Sequence, residues 1–88
     1  MIRFVIVTGM SGAGRSSVLN MLEDMGYFCI DNLPVRMIPK LTKVFISESK
    51  SMDRVVLGID IRNLQGLSEL GDILDEMKEA GYRYEILF

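Results

Sequence analysis

Eighty-eight residues leave room for one small domain, and a 49% hydrophobic, 25% charged composition is that of a globular chain rather than a disordered one. Ten basic residues against twelve acidic give a net charge of −2, with no basic block of the kind that marks a nucleic-acid surface. No apolar run approaches the length of a membrane span, and one cysteine with no histidine rules out a structural zinc site.

Residues 2–7 are a continuous β-branched and aromatic run, the pattern of a strand buried on both faces in a parallel sheet. With Met1 leading straight into it, no signal peptide is expected, and the lone Cys29 suits a reducing, cytoplasmic compartment. Next comes Gly9-Met10-Ser11-Gly12-Ala13-Gly14-Arg15-Ser16, which fits the phosphate-loop spacing G-x-x-x-x-G-K-[ST] except that Arg15 replaces lysine. Such a loop needs glycines because its backbone must turn N–H groups inward on an anion. The helix behind it adds free amides and the positive end of its dipole. The cation then reaches the β/γ-phosphates, and Ser16 is placed to hold magnesium. A tight βα turn explains the three glycines less well and leaves the adjoining Arg15-Ser16-Ser17 unexplained.

Val18, Leu19, Met21, Leu22 and Met25 recur at helical spacing and Gly26 suits a C-terminal cap, so a helix is expected over about 15–25. The seven methionines are expected mainly as adaptable core filler. Residues 27–30 read as a second strand ending at Asp31-Asn32-Leu33-Pro34. Ligands of open α/β sheets bind beyond the carboxyl ends of strands, so Asp31 shares a rim with the phosphate loop. It either orients a hydroxyl, a magnesium-bound water or a neighbouring loop, or it makes an Asx turn into the next helix.

Pro39 divides the following region into a turn over 35–38 and a helix over 39–48, with Met37, Ile38, Leu41, Val44 and Phe45 as its apolar stripe. Lys40 and Lys43 read as a solvated face, and 47–53 as a polar connection. Residues 55–61 form a third apolar strand, which terminates in Asp60-Ile61-Arg62-Asn63. A carboxylate ending a buried strand beside a phosphate loop can hold magnesium through water; the alternative is a carboxylate satisfied by backbone amides. Arg62 and Asn63 are candidate nucleotide contacts, with a surface ion pair as the alternative for Arg62. A loop over 64–68 then leads to a helix with Leu67, Leu70, Ile73, Leu74, Met77 and Ala80 on one stripe, and 82–88 is a fourth strand. The β-α-β-α-β-α-β order with short connections implies an α/β fold with a mostly parallel sheet flanked by helices, of the P-loop NTPase kind. Ending in its last strand, the chain reads as the N-terminal, nucleotide-binding portion of a larger protein.

Gly9-Met-Ser-Gly-Ala-Gly-Arg-Ser16, Leu22-Glu-Asp-Met-Gly-Tyr-Phe-Cys-Ile-Asp-Asn-Leu-Pro34, Gly58-Ile-Asp-Ile-Arg-Asn63 and Gly81-Tyr-Arg-Tyr-Glu-Ile-Leu-Phe88 together resemble the RapZ/YvcJ family of bacterial nucleotide-binding proteins. The resemblance covers essentially the whole chain. It implies ATP binding through the 9–16 segment, GTP at the 60–63 segment, Mg2+ as cofactor, and weak hydrolysis at most. It also implies that amino-sugar phosphate sensing, and in some members RNA binding and delivery to a ribonuclease, belong to a C-terminal half outside these residues. The expected partner is therefore the nucleotide, not RNA and not a membrane, with a homo-oligomer left open. Arg15 departs from the family lysine: it keeps the charge but is planar and bulkier, which weakens phosphate binding and bears hardest on catalysis. Two other functions fit the scaffold. One is a small-molecule kinase in which Asp31 orients the acceptor hydroxyl; the other is a degenerate loop in which Arg15 marks lost nucleotide binding.

Overall fold

A computed structural model describes residues 2–9, 11–48 and 53–88. The elements run β1 (Arg3–Val7), α1 (Gly12–Asp24), β2 (Phe28–Ile30), a 3-10 turn (Val35–Met37), α2 (Ile38–Glu48), β3 (Arg54–Gly58), α3 (Leu64–Glu79) and β4 (Arg83–Leu87). The strands form one sheet in the order β2-β3-β1-β4, and every pairing is parallel. The α/β architecture expected from the alternating pattern is therefore present, with the sheet wholly rather than mostly parallel.

Period-two alternation sorts the strand residues onto two faces. On one face Phe4, Ile6, Val55 and Leu57 pack with Ile38 and Phe45 of the α2 helix and with Leu70, Ile73, Leu74 and Met77 of α3. On the other, Val5, Val7 and Val56 meet Leu19 of α1, flanked by Val18 and Leu22. The β1 and β3 strands are buried along both faces because both lie inside the sheet between covering helices. β4, at an edge, alternates instead: Tyr84 and Ile86 turn to the larger core, while Arg83, Glu85 and Leu87 are exposed.

These placements follow from handedness. β1 connects leftward to β2 through α1, whereas β2 to β3 and β3 to β4 connect rightward through α2 and α3. Right-handed crossovers then put α1 on one face and the other two helices on the opposite face. Neighbouring strands β1 and β3 consequently send their chains to opposite sides, which opens a crevice at their carboxyl ends.

Several expected boundaries shift. The α1 helix begins at Gly12, three residues before the expected start, because Ser11 caps it: the Ser11 hydroxyl accepts from the Gly14 amide at 3.2 Å. The α3 helix begins at Leu64, so the expected loop over 64–68 is helical; Asn63 caps it by accepting from the Gly66 amide at 2.7 Å. The 3-10 turn and α2 fall where the two prolines placed them, with Pro39 in the tolerant first turn. The methionines are a correction. Met77 is buried, but Met21, Met25 and Met37 are all exposed, so the stripe read on α1 is wider than the face it buries. Val44 and Leu67 likewise lie outside the buried stripes of their helices. The expected polar connection over 47–53 falls largely outside the described residues.

Candidate nucleotide site

The β1 strand ends at Val7, and the amide of the next residue, Thr8, still donates to the Leu87 carbonyl at 3.0 Å. Gly9 then turns the chain with φ of +73°, a conformation that L side chains rarely adopt. Of the three loop glycines it alone needs that freedom, since Gly12 and Gly14 lie inside α1 with helical backbone. The expectation that all three supply a left-handed backbone is therefore corrected. Met10, named with the loop, lies outside the described residues.

The early helix start also changes which amides face outward. Arg15 N–H donates to the Ser11 carbonyl at 2.8 Å and Gly14 N–H to the Ser11 hydroxyl. The amides of Gly12 and Ala13 are left without an acceptor among the described residues. They point along a 13-residue helix whose positive end sits beside the crevice. The Ser16 hydroxyl has no protein partner among the described residues, whereas that of Ser17 donates back to the Ala13 carbonyl at 3.1 Å.

Sequence reasoning missed Thr8. It is 2% exposed, and its hydroxyl is the one buried side-chain polar atom without a hydrogen bond among the described residues. An orphan hydroxyl of this kind disfavours the fold by about 1–3 kcal/mol unless water or a ligand meets it. The available signal was a polar residue closing an otherwise apolar buried run.

The rim is completed from β2 and β3. The Asp31 carboxylate accepts from Arg15 Nε at 2.9 Å and from the Asn32 amide at 2.7 Å, both on Oδ1. Asn32 takes φ of +56°, which asparagine tolerates better than most residues. The chain then crosses to the end of β3, where the Leu33 amide donates to the Gly58 carbonyl at 2.9 Å. Asp31 thus engages the loop cation and accepts from the amide of its immediate neighbour, one residue short of the reach of an Asx turn.

Asp60 lies beyond β3, which ends at Gly58 rather than at Ile61. Its Oδ2 accepts from Arg62 Nε at 2.9 Å and Nη2 at 2.8 Å. This hydrogen bond holds the carboxyl below its ordinary range; desolvation opposes the shift, and the charges of Arg62 and the nearby Arg15 add to it. Ile61 is half-buried, packing against the larger core while also lining the neighbouring cavity. Asn63 uses its side-chain oxygen as the α3 cap and keeps its amide nitrogen free of that bond. A cavity of about 470 Å³ opens beside this segment, with Arg36, Asp60, Arg62, Asn63 and Glu69 in its wall. Arg36 is paired to Glu69 at 3.0 Å, which ties the 3-10 turn to α3.

The sign of the Asp60 shift gives a direct expectation. A carboxyl depressed in the folded state adds stability above its unfolded value, and that contribution is lost as pH falls through the folded value. Arg62→Ala is expected to return the Asp60 titration towards the ordinary carboxylate range. Carboxyl-detected NMR titration would read it, and an unchanged midpoint would show that Arg62 is not the cause.

The structure therefore brings Gly9, Ser11–Ser16, Asp31 and Asp60 to one rim, with Arg62 and Asn63 lining the cavity beside it. No helix among the described residues is long and apolar enough to cross a membrane. The family profile described as the RapZ-like N-terminal domain matches residues 2–88. A protein of Lachnoclostridium phytofermentans named "Nucleotide-binding protein" is 62% identical over 98% of this chain. Similarly named proteins of Clostridium acetobutylicum and Caldanaerobacter subterraneus subsp. tengcongensis are 51% and 50% identical over the same share. The chain spans about 30% of the length of these curated relatives.

Proposed function

Because the chain belongs to the RapZ-like N-terminal domain family, we propose that it is a regulatory nucleotide-binding domain that takes ATP or GTP with magnesium and hydrolyses them weakly or not at all. The observation that carries this reading is the placement of a capped helix N-terminus, a left-handed Gly9 and the Arg15 guanidinium around the crevice between β1 and β3. The phosphates would lie against the Gly12 and Ala13 amides, where the helix dipole favours negative charge. Arg15 supplies the cation, able to contact phosphate oxygens through more than one nitrogen.

The donor set fits magnesium, a hard cation that favours oxygen ligands: a hydroxyl at Ser16 and a carboxylate at Asp60 that is ionised at neutral pH. When bound, the ion would offset the negative charge of the phosphates. The Arg62–Asp60 pair takes Oδ2 and leaves Oδ1 open. A second nucleotide at 60–63 would meet the Arg62 side chain and Ile61 beside the cavity. Weak hydrolysis follows from Arg15, whose charge is spread over a planar group rather than concentrated at the γ-phosphate.

Calorimetric titration of ATP and of GTP, each with magnesium, into the full chain and into Arg15→Lys tests this reading. Binding to both, tighter in the lysine variant, is the expected result. No binding to either would mean that the loop has lost its function.

A further inference from the structure

Asp31 carries a contact that its position after β2 does not require. Its Oδ1 lies 2.9 Å from Arg15 Nε, sixteen residues earlier in the chain and on a different element. The Arg15 side chain is only 11% exposed, so the guanidinium is held and not splayed into solvent. The bond uses Nε alone, which leaves both terminal nitrogens, and their four N–H groups, without a protein acceptor among the described residues. Gly58 makes room for this arrangement: a Cβ there would come within 2.5 Å of Asp31 Oδ1 and 3.3 Å of Asp31 Cα. The Asn32 amide steadies the same oxygen from the other side at 2.7 Å.

We propose that Asp31 is a positioning residue for phosphate binding, which clamps Arg15 by its Nε so that the two terminal nitrogens are presented together to phosphate oxygens. This rests on the nucleotide-binding reading. A lysine carries its three N–H donors on a single nitrogen, so a carboxylate that holds it sits beside the phosphate-binding point itself, whereas arginine can be held by Nε with both terminal nitrogens free; a clamp of this kind is therefore meaningful only for arginine. An arginine without it would spend rotamer freedom on binding. Gly58 is then part of the same device, because any side chain there displaces the carboxylate.

The test is a cycle of Asp31→Asn and Arg15→Lys in the full chain, with magnesium-ATP affinity as the readout and thermal melts to establish folding. Asp31→Asn is expected to weaken binding by roughly fivefold to twentyfold when Arg15 is present, on the scale of one lost charge-assisted hydrogen bond. In the Arg15→Lys protein the same change is expected to leave binding unaltered or to tighten it, since only a negative charge is then removed. The Arg15 Nε–Hε resonance should be protected from exchange in wild type, with and without ATP, and unprotected in Asp31→Asn. Should Asp31→Asn not fold, Gly58→Ala is expected to show the same split. Equal weakening in both backgrounds would reduce Asp31 to a structural role and overturn the proposal. Unchanged or tighter binding with Arg15 present would overturn it too, while leaving nucleotide binding standing. Absence of binding by wild type to ATP and GTP would instead remove the functional reading itself.

Discussion

Phe4→Ala is expected to lower unfolding stability by about 3–5 kcal/mol, out of roughly 5 to 10 kcal/mol for a domain of this size. Phe4 has no exposed surface and sits on β1, the strand that pairs on both sides, with β3 and with β4. Its ring packs into the larger core and lies 6.3 Å from that of Tyr82. Truncation would leave a cavity beneath two helices, which α2 and α3 could collapse into only by leaving the sheet. Urea unfolding followed by circular dichroism would measure it. Phe28→Ala is the control, because Phe28 lies on the edge strand β2 and is 47% exposed; about 1 kcal/mol is expected there, on the scale of partial burial. Equal losses at the two sites would mean that the core is not centred on β1.

Gly9→Val is expected to damage both stability and ligand binding. The residue sits at φ of +73°, where a left-handed backbone costs about 1–2 kcal/mol for an L-residue, and more for a β-branched one. A Cβ would also stand 3.2 Å from Cδ1 of Phe88, the residue after β4, whose exposed ring must give way by a few tenths of an ångström. The chain can escape the strain only by re-routing the turn into α1, which moves the helix N-terminus away from the crevice. Magnesium-ATP affinity should fall by about tenfold or more, the equivalent of some 1.4 kcal/mol, together with a lower melting temperature. Gly12→Ala supplies the contrast. Gly12 is helical and has nothing within 4 Å of the added carbon, so its melting temperature should hold or rise. A Gly9→Val protein with wild-type affinity would show that the left-handed turn does not position the loop.

The elements were legible because their signals are local. Two apolar β-branched runs, at β1 and β3, are strands buried on both faces, and the two prolines placed the turn before α2 to within one residue. The phosphate-loop spacing located the rim, since it joins a strand to a helix wherever it occurs. What failed was the reading of degree. Met21 and Met25 carry helical spacing, yet α1 faces only the two central strands and short β2, so the far edge of its stripe stays in solvent. The helix starts failed for a related reason. Ser11 and Asn63 are good caps, but whether each caps depends on how the preceding chain leaves the sheet.

By itself, the sequence determined the alternation of strands and helices, a mostly parallel sheet, and the glycine-rich turn between β1 and α1, because each rests on spacing between near neighbours. Only the tertiary structure decided the order β2-β3-β1-β4 and, through it, which charges meet. Arg15 and Asp31 come from elements separated by a crossover, and their contact exists because β3 lies between β1 and β2 and ends in a glycine small enough to admit a carboxylate. Pairings of that kind depend on where strands are inserted into the sheet, and no short-range pattern records it.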